Sequence, residues 1–474
     1  MRVTIGQINT TNGDYEGNTA GIIRALERGK RDAADLVVVP EACVQGYTSL
    51  DWFLDRDVAR CVLEPLGKII AATAGLTAIV GTVRPNDQPT GRRLYNSAAV
   101  IRDQKLIGFA DKTLLPEYDV FDDPRYFEPA RERHLFAVND CKLGIAVCED
   151  FWNDKTFWKN RLYAHDPADE LIELGAEALI SINASPFNKG KMAQRCAMVS
   201  HRAKAANIPV VFVNLVGGND GIIFDGASIV ADSKGKIILQ APPFEEFYGT
   251  VDLDCGVADE RCLPGDDMET IRSALVLGIH DYARKNRFTK AVIGLSGGID
   301  SAVVAALACE ALGAENVLSV MMPSPYSSSA SVADSVALGR RLGMKVIERP
   351  ITNAFEVLLK ELDLPALNRC REFNRNGKSA IAFARKHSDD YFQRRRTAAA
   401  VHRQQVGTGA GLLHSLRRHE RRAGGDRRRV EDGSLRAGAP LNRESEIIPQ
   451  TIIEKRPSAE LAPDQFDDQS LPSL

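Results

Sequence analysis

Three residues in the first part of the chain have side chains suited to covalent catalysis, and each follows an apolar run. Glu41 stands in VVVPEACVQGY, Lys112 in FADKTLLPEYDVFDDPRYF and Cys148 in LGIAVCEDFW. A thiolate is a nucleophile, a carboxylate takes and returns its proton, and a cation favours both the thiolate and a tetrahedral oxyanion. The three residues therefore predict a nucleophilic site that needs no histidine. Each residue alone also fits a structural role, the cysteine as a small buried side chain and the other two as loop charges.

A second candidate site lies at residues 292–302, VIGLSGGIDSA. The apolar residues at its start predict a buried parallel strand. SGGID predicts a turn, and residues 301–312 predict an alanine-rich helix. Glycines in such a turn let backbone N–H groups approach an anion, which the positive end of the helix also attracts. The candidate phosphate ligands are Ser296, Gly297, Gly298, Asp300 and Ser301, with Asp300 also the candidate ligand for Mg²⁺. The turn has no lysine, so it does not match the kinase-type phosphate loop.

The elements that must position these residues are strands alternating with helices, which predicts an α/β protein with a mixed sheet. Because the carboxyl ends of strands share one edge of a sheet, residues that follow strands are expected to meet there. The predicted strands of the first part are residues 3–8, 36–40, 78–83, 97–101, 143–147, 178–182, 210–215 and 227–230. A Gly/Pro and acidic linker at 254–267 divides the chain into domains 1–260 and 261–474, the second opening with a helix at 268–284.

Composition excludes several classes of protein. The chain has 474 residues, enough for two cores, and a formal net charge of −3, which gives no sign of a nucleic-acid or membrane-surface protein. Its nine cysteines include no C-x-x-C pair, and no apolar run approaches the ~20 residues of a membrane span. We therefore expect a protein of the reducing cytoplasm, without membrane or nucleic-acid partners.

The motifs PEACVQGY, DKTLLPEYDVFDDPRYF and AVCEDFW resemble those of the nitrilase superfamily, whose triad is Glu-Lys-Cys. This resemblance implies an α-β-β-α sandwich for residues 1–260, with Glu41, Lys112 and Cys148 as the catalytic residues. The segment NASPFNKGK, residues 183–191, resembles the glutaminase branch of that superfamily. That resemblance implies a glutamine site made of Tyr118, Glu149, Ser185 and Lys191.

The SGGIDS turn resembles the loop of the ATP pyrophosphatases, which implies a Rossmann-like adenine-nucleotide α-hydrolase domain that binds ATP and Mg²⁺. Together with MMPSPYSSSASVADS and EKRPSAELAPDQFDDQSLP, it is similar to the glutamine-dependent NAD⁺ synthetases. In that family ammonia from glutamine amidates adenylated deamido-NAD⁺. The resemblance implies that Lys455 and Ser458 lie near phosphates and that the protein is a homo-oligomer. Pro325 stands where many members have a basic residue.

Residues 365–440 no longer resemble the family, and arginines crowd a Gly/Ala-rich stretch there. Reverse translation of residues 401–440, shifted by one base, permits STGNKSELALGYSTLYGDMNGGLAVIADV, which resembles the missing family motif with its Mg²⁺ and phosphate ligands. We therefore expect a frame slip and an incomplete second domain. Two alternatives remain open: a stand-alone glutaminase or carbon–nitrogen hydrolase, and a non-enzymatic adaptor whose basic segment binds nucleic acid.

Overall fold

The computed structural model describes residues 1–47, 49–255, 267–361, 442 and 446–455. For residues 358–361 the description covers the backbone alone. The chain divides into two compact units, Met1–Lys285 and Asn286–Leu474. The predicted frame-slipped segment, most of the predicted linker and Ser458 lie outside the described residues.

Short strands make up two six-stranded sheets and one hairpin in the first unit. The first sheet has the order β14-β1-β2-β3-β4-β5, the second β13-β12-β9-β8-β7-β6, and β10 pairs with β11. The strands are β1 (Arg2–Gln7), β2 (Leu36–Val38), β3 (Thr77–Pro85), β4 (Leu94–Arg102), β5 (Lys105–Asp111), β6 (Phe136–Val138), β7 (Cys141–Val147), β8 (Ala178–Asn183), β9 (Val210–Asn214), β10 (Val216–Asn219), β11 (Ile222–Asp225), β12 (Ile229–Ala231), β13 (Ile237–Gln240) and β14 (Phe247–Asp252). Parallel and antiparallel pairs occur in both large sheets, which confirms the mixed sheet.

The helices of this unit are α1 (Tyr15–Arg31), α2 (Val58–Cys61), α3 (Leu63–Ala72), α4 (Asp123–Tyr126), α5 (Glu149–Trp152), α6 (Pro167–Glu173), α7 (Lys191–Ala206) and α8 (Asp267–Lys285). Helix α1 shows why these segments are helical. The Asp14 carboxylate accepts a hydrogen bond from the Gly17 N–H at its start, and the basic residues of its last turn complement the helix dipole. Its apolar residues recur at helical spacing, so Ile22, Ala25 and Leu26 are buried together.

Three apolar layers show that the first unit is an α-β-β-α sandwich. The middle layer joins the two sheets, with Ile5 and Val38 from the first packed in one cluster with Ile180 from the second. Their neighbours along the strands point outward, Val37 towards the layer that includes α1 and α3, and Leu179 towards the layer that includes α6 and α7. Strands buried on both faces need apolar side chains at successive positions, which is why their sequences read as continuous apolar runs.

Helix α8 belongs to the first compact unit, although its sequence position predicts that it opens the second domain. It packs on the β10–β11 hairpin, and the division between units falls after Lys285. Order along the chain therefore did not indicate with which unit this helix packs.

The second unit contains a parallel sheet of three described strands, β15 (Ala291–Gly294), β16 (Val317–Met321) and β17 (Lys345–Glu348). Helices α9 (Ile299–Leu312) and α10 (Ser329–Leu342) connect them, α11 (Thr352–Glu361) follows, and a short helix spans Gln450–Glu454. Right-handed crossovers between neighbouring strands place α9 and α10 on one face. Val292 of β15 is 70% exposed, so the described part of this unit leaves apolar sheet surface uncovered.

Close packing between β3 and the turn after β2 yields a first prediction. A Cβ atom at Gly81 would lie 2.1 Å from the Pro40 carbonyl oxygen and 2.5 Å from the Ala42 nitrogen, both rigid backbone atoms. We expect Gly81→Ala to lower the free energy of unfolding by about 1–3 kcal/mol, the cost typical of overpacking. Urea unfolding monitored by circular dichroism measures this. Gly67→Ala in α3, where nothing lies within 4 Å of the added methyl, is the control and should not destabilise. Equal effects in both variants would contradict the packing argument.

Candidate active site

The predicted catalytic residues come together from both sheets. Glu41 follows β2 and Lys112 follows β5 in the first sheet, whereas Cys148 follows β7 in the second. All three are buried, with Glu41 and Lys112 fully shielded from solvent. The site therefore lies where strand ends of the two packed sheets meet, as the strand-end argument predicts.

Lys112 is held between two carboxylates. Its Nζ donates to Glu41 Oε1 at 2.8 Å and to Asp123 Oδ2 at 2.7 Å, while the Tyr47 hydroxyl donates to the other Asp123 oxygen at 2.9 Å. Burial lowers the pKa of Lys112, but Asp123 and Glu41 outweigh burial and the net pKa shift is upward. The lysine is therefore a fixed cation, and Asp123 is its second carboxylate partner, which the sequence analysis missed although it lies in a quoted motif.

Glu41 is oriented by three donors, which leaves it little freedom. Besides Lys112, Asn96 Nδ2 donates to Oε1 at 2.8 Å, and the Ala184 N–H donates to Oε2 at 2.8 Å. Ala184 follows β8, and its backbone N–H also favours a lower pKa of the Cys148 thiol. One backbone group therefore acts on both the Glu41 carboxylate and the Cys148 thiol, so the two side chains lie close together.

Cys148 sits at a sharp junction between β7 and α5. Its φ is 50° and its ψ is −99°, a conformation that costs a non-glycine residue free energy and that is common at active sites. Its N–H donates to the Ile182 carbonyl at 2.8 Å, so the turn is fixed against β8. Burial and the nearby Glu41 carboxylate raise the pKa of the thiol, and Lys112 opposes them. The cation therefore has the largest effect among the groups that favour the thiolate here.

Asp150 ties the lysine segment to the cysteine turn. Its carboxylate accepts hydrogen bonds from the Thr113 and Leu114 N–H groups, the closest at 2.7 Å, and from the Val147 N–H at 3.3 Å. These donors flank Lys112 on one side and Cys148 on the other. Asp150 therefore sets the spacing between cation and nucleophile, a role that the sequence did not reveal.

The four predicted glutamine ligands border the same site. Tyr118 donates to both oxygens of buried Glu149, at 3.1 and 2.9 Å, and burial raises the pKa of that carboxyl. Tyr163, which the sequence analysis missed, favours a lower pKa of the same carboxyl group and so lies near it. Lys191 begins α7 with its Nζ 5.1 Å from the centre of the Trp152 ring, and burial lowers the pKa of this lysine.

Ser185 has a fixed backbone and an unpaired hydroxyl. Asn214 Oδ1 accepts from its N–H at 2.8 Å, and Asn214 Nδ2 donates to its carbonyl at 3.2 Å. The Oγ is buried and has no hydrogen-bond partner among the described residues. A buried hydroxyl without a partner costs free energy, so this oxygen is suited to a ligand.

The phosphate turn of the second unit has the predicted strand–turn–helix form. Ser296 and Ser301 place their hydroxyls 3.1 Å apart, and the Gly298 N–H donates to Ser296 Oγ at 3.4 Å. Gly297 has a φ of 75°, and a Cβ atom there would lie 2.3 Å from the Ser331 carbonyl oxygen, so only glycine fits. Asp300 is exposed in the first turn of α9.

Lys455 lies beside this turn, as the resemblance implies. Its Nζ donates to the hydroxyl of Ser331, the residue whose backbone packs against Gly297, and lies 3.8 Å from Asp334 Oδ2. A cation is thus brought next to the glycine turn from a distant part of the chain. Ser458 lies outside the described residues.

Comparison with known proteins places both halves of the chain in described families. Residues 2–261 match the carbon–nitrogen hydrolase family, and residues 271–389 match the NAD synthase family, so the second match extends beyond residue 365. The glutamine-dependent NAD(+) synthetase of Synechocystis sp. is 36% identical over 99% of this chain and 86% of that protein. The glutamine-dependent NAD(+) synthetase of Thermotoga maritima is 33% identical over 100% of this chain and 86% of the Thermotoga protein. The chain belongs to the glutamine-dependent NAD⁺ synthetase family.

Solved structures agree with this membership of the NAD⁺ synthetase family. The Acinetobacter baumannii glutamine-dependent NAD+ synthetase in complex with ADP matches with a TM-score of 0.74 and 27% identity, over 97% of this chain and 86% of that one. The Cytophaga hutchinsonii enzyme matches with a TM-score of 0.66 over 82% and 73% of the two chains, and at 21% identity it supports the fold alone. The predicted resemblance, the fold class and the class of ligase-type enzyme with glutamine as amido donor are confirmed. No described helix is long and apolar enough to cross a membrane.

The position of Lys112 predicts how the reactivity of Cys148 depends on pH. Lys112→Met removes the cation that favours the thiolate, so the midpoint pH for alkylation of Cys148 should rise by about 1 unit or more. Mass spectrometry of the Cys148 peptide after pulses of iodoacetamide at a series of pH values measures this. Lys155→Met, which removes an exposed lysine paired with Asp169, is the control. An unchanged midpoint in the Lys112 variant would mean that the lysine does not act on the thiol.

Proposed function

We propose that the first unit hydrolyses glutamine at Cys148 and that the ammonia amidates ATP-activated deamido-NAD⁺, which yields NAD⁺, AMP and pyrophosphate. The observation that carries the proposal is the buried convergence of Glu41, Lys112 and Cys148, with Lys112 paired to Glu41 at 2.8 Å and Glu41 fixed by the Ala184 N–H. Membership of the glutamine-dependent NAD⁺ synthetase family supports the overall reaction.

The geometry divides the proton transfers, the nucleophilic attack and the stabilisation of charge among the three catalytic residues. Glu41 takes the proton of the Cys148 thiol as sulfur attacks the amide carbon, and Lys112 stabilises the oxyanion that forms. Glu41 then returns the proton to the leaving amine, so that ammonia departs and a γ-glutamyl thioester remains. Water, deprotonated by the same carboxylate, cleaves the thioester to glutamate and restores the thiol.

The surrounding groups suit the amino-acid end of glutamine. The Glu149 carboxylate, held by Tyr118, supplies negative charge for the α-ammonium group. The unpaired hydroxyl of Ser185 supplies a donor for the α-carboxylate, and Lys191 lies close enough to Glu149 to interact electrostatically with it. These complementary groups favour glutamine over amides that lack the amino-acid end.

Ser185→Ala tests this assignment of the glutamine site. Loss of the hydroxyl should raise KM for glutamine about tenfold with little change in kcat, because it removes an interaction present in both ground and transition states. Steady-state release of glutamate measures both constants. Ser200→Ala on α7 is the control and should behave as the unmodified protein. A fall in kcat at unchanged KM would place Ser185 in the chemical step instead.

The phosphate turn supports the second half of the reaction. Backbone N–H groups at Gly297 and Gly298, hydroxyls of Ser296 and Ser301, and the Lys455 ammonium form an anion-binding group. No group of three or more His, Cys, Asp or Glu that could hold a metal occurs in the described residues, but Mg²⁺ on a nucleotide commonly uses one or two carboxylates together with phosphates and water. Asp300 fits that requirement, and the ion would neutralise phosphate charge.

A second candidate function is that of a stand-alone glutaminase. The observation that favours it is the arginine-rich segment at 401–440, whose sequence lacks the apolar pattern of a parallel strand and its crossover. The exposed Val292 of β15 is consistent with a sheet that lacks part of its cover. The chain as written would then release ammonia without consuming ATP.

Coupling separates the two functions. If residues 401–440 are frame-slipped, the chain as written should release glutamate without AMP or NAD⁺. A chain in which codons 401–440 are returned to the other frame, with the frame from residue 441 onward kept, should form glutamate, AMP and NAD⁺ together. Chromatography after incubation with glutamine, ATP, Mg²⁺ and deamido-NAD⁺ measures all of them. Asp300→Asn in the restored chain should lose AMP formation and keep glutamine hydrolysis. NAD⁺ formation by the uncorrected chain would refute the frame-slip hypothesis.

A homo-oligomer, a cytoplasmic location and the absence of nucleic-acid partners stay predictions. Gel filtration with light scattering tests the first of these.

A further inference from the structure

The backbone of α8 touches the backbone of the β10–β11 hairpin. A Cβ atom at Gly218 of β10 would lie 3.1 Å from the Gly278 Cα atom of α8. A Cβ atom at Gly278 would lie 2.9 Å from Cδ1 and 3.2 Å from Cγ1 of Ile223 in β11. Glycine at both positions allows this approach, and a larger side chain at Gly278 would fit only if the side chain of Ile223 moved.

Buried charges fix the helix at this place on the hairpin. Asp281, fully buried, accepts from the Gly218 N–H at 2.8 Å and from Asn9 Nδ2 at 2.7 Å. One turn later, Lys285 Nζ donates to the carbonyls of Thr10 and Gly218 at 2.7 and 2.8 Å and to Asn219 Oδ1 at 2.9 Å. Buried charges are tolerated only where partners stand in a set geometry, so a shifted helix would leave them unpaired.

The hairpin in turn supports the loop that carries Ser185. The Ile223 carbonyl accepts from the Phe187 N–H at 2.7 Å, and Phe224 forms a bridge with Pro186. Phe224 is also fully buried, with its ring 6.4 Å from that of Tyr47. The two residues after Ser185 are therefore paired with β11, a strand on which α8 packs, and Phe187 is hydrogen-bonded to it.

A second contact joins the N-terminal end of α8 to the same loop. Lys189 Nζ lies 3.1 Å from Oδ2 of Asp267, the first residue of α8. This pair is exposed, so it contributes little by itself. It shows that the helix runs from the Ser185 loop to the end of the hairpin beside its turn, where Lys285 contacts Asn219.

We propose that α8 positions the glutamine-binding loop through two positioning residues, Gly278 acting on Ile223 and Asp281 acting on Gly218, which pairs with Ile223 across the hairpin. The inference rests on the proposed glutamine site at Ser185. The NAD synthase match begins at residue 271, inside α8, so a helix that the sequence assigns to the synthase part sets the glutamine affinity of the hydrolase part.

Gly278→Val in the full chain tests the proposal. The added side chain should push Ile223 and the loop away, and we expect KM for glutamine to rise about tenfold with kcat changed less than about twofold. The rate of Cys148 alkylation by iodoacetamide, which needs no amino-acid contacts, should not change. Gly67→Val in α3, an exposed helix position with nothing within 4 Å, is the matched control for the cost of valine in a helix.

A second variant separates displacement of the loop from general damage. Ile223→Ala removes the two atoms that the new side chain meets. In the double variant Gly278→Val, Ile223→Ala, KM for glutamine should therefore return most of the way to its value in the unmodified chain. Gly278→Ala serves as the milder variant if valine prevents folding, and a smaller rise in KM is expected. A KM equal to that of the unmodified chain in both Gly278 variants, or a raised KM that Ile223→Ala does not lower, would overturn the proposal. Absence of glutamine hydrolysis in the unmodified chain would instead refute the proposed function.

Discussion

The ammonium group of Lys112, enclosed between the carboxylates of Glu41 and Asp123, is the interaction on which the first unit depends. Removal of such ions from water costs several kcal/mol for each ion, and only close, fully bonded partners offset that cost. The partners come from separate elements: Asn96 from β4, the Ala184 backbone after β8, and Tyr47 beyond the Glu41 turn. The charges therefore have all their partners only when both sheets have closed, so this site depends on the complete fold of the first unit.

Much of this site was predictable because strand ends are visible in a sequence. Glu41, Lys112 and Cys148 each follow a continuous apolar run, and strands buried on both faces produce such runs. The strands that the sequence did not reveal are β10 and β11 of the hairpin and β5, β6, β13 and β14, which form the edges of the two large sheets. Edge strands have fewer buried positions, and the first three residues of β5 are exposed, so their apolar signal is weak.

The residues that the sequence analysis missed owe their importance to contacts distant along the chain. Asp150 bonds the segment after Lys112, and Asn96 bonds Glu41, and neither contact follows from local spacing. For helix α8, contacts distant along the chain decide the position of a whole helix. Its position after the linker indicates the second domain, but the carboxylate of Asp281 finds its partners on β10 and Asn9. Side chains that pair across a fold leave little trace in the local sequence pattern.

The burial of Asp281 also limits how evolution could divide this chain into two genes. The two family matches suggest a cut between residues 261 and 271. A polypeptide that ended there would lack α8, and the Gly218 N–H and the Asn9 amide would lose the carboxylate that accepts from them. The glycines of the hairpin would also present bare backbone, a surface that favours association with other chains. A cut that preserves these bonds lies after Lys285, so a hydrolase released from this fusion would have to keep the first helix of its former neighbour.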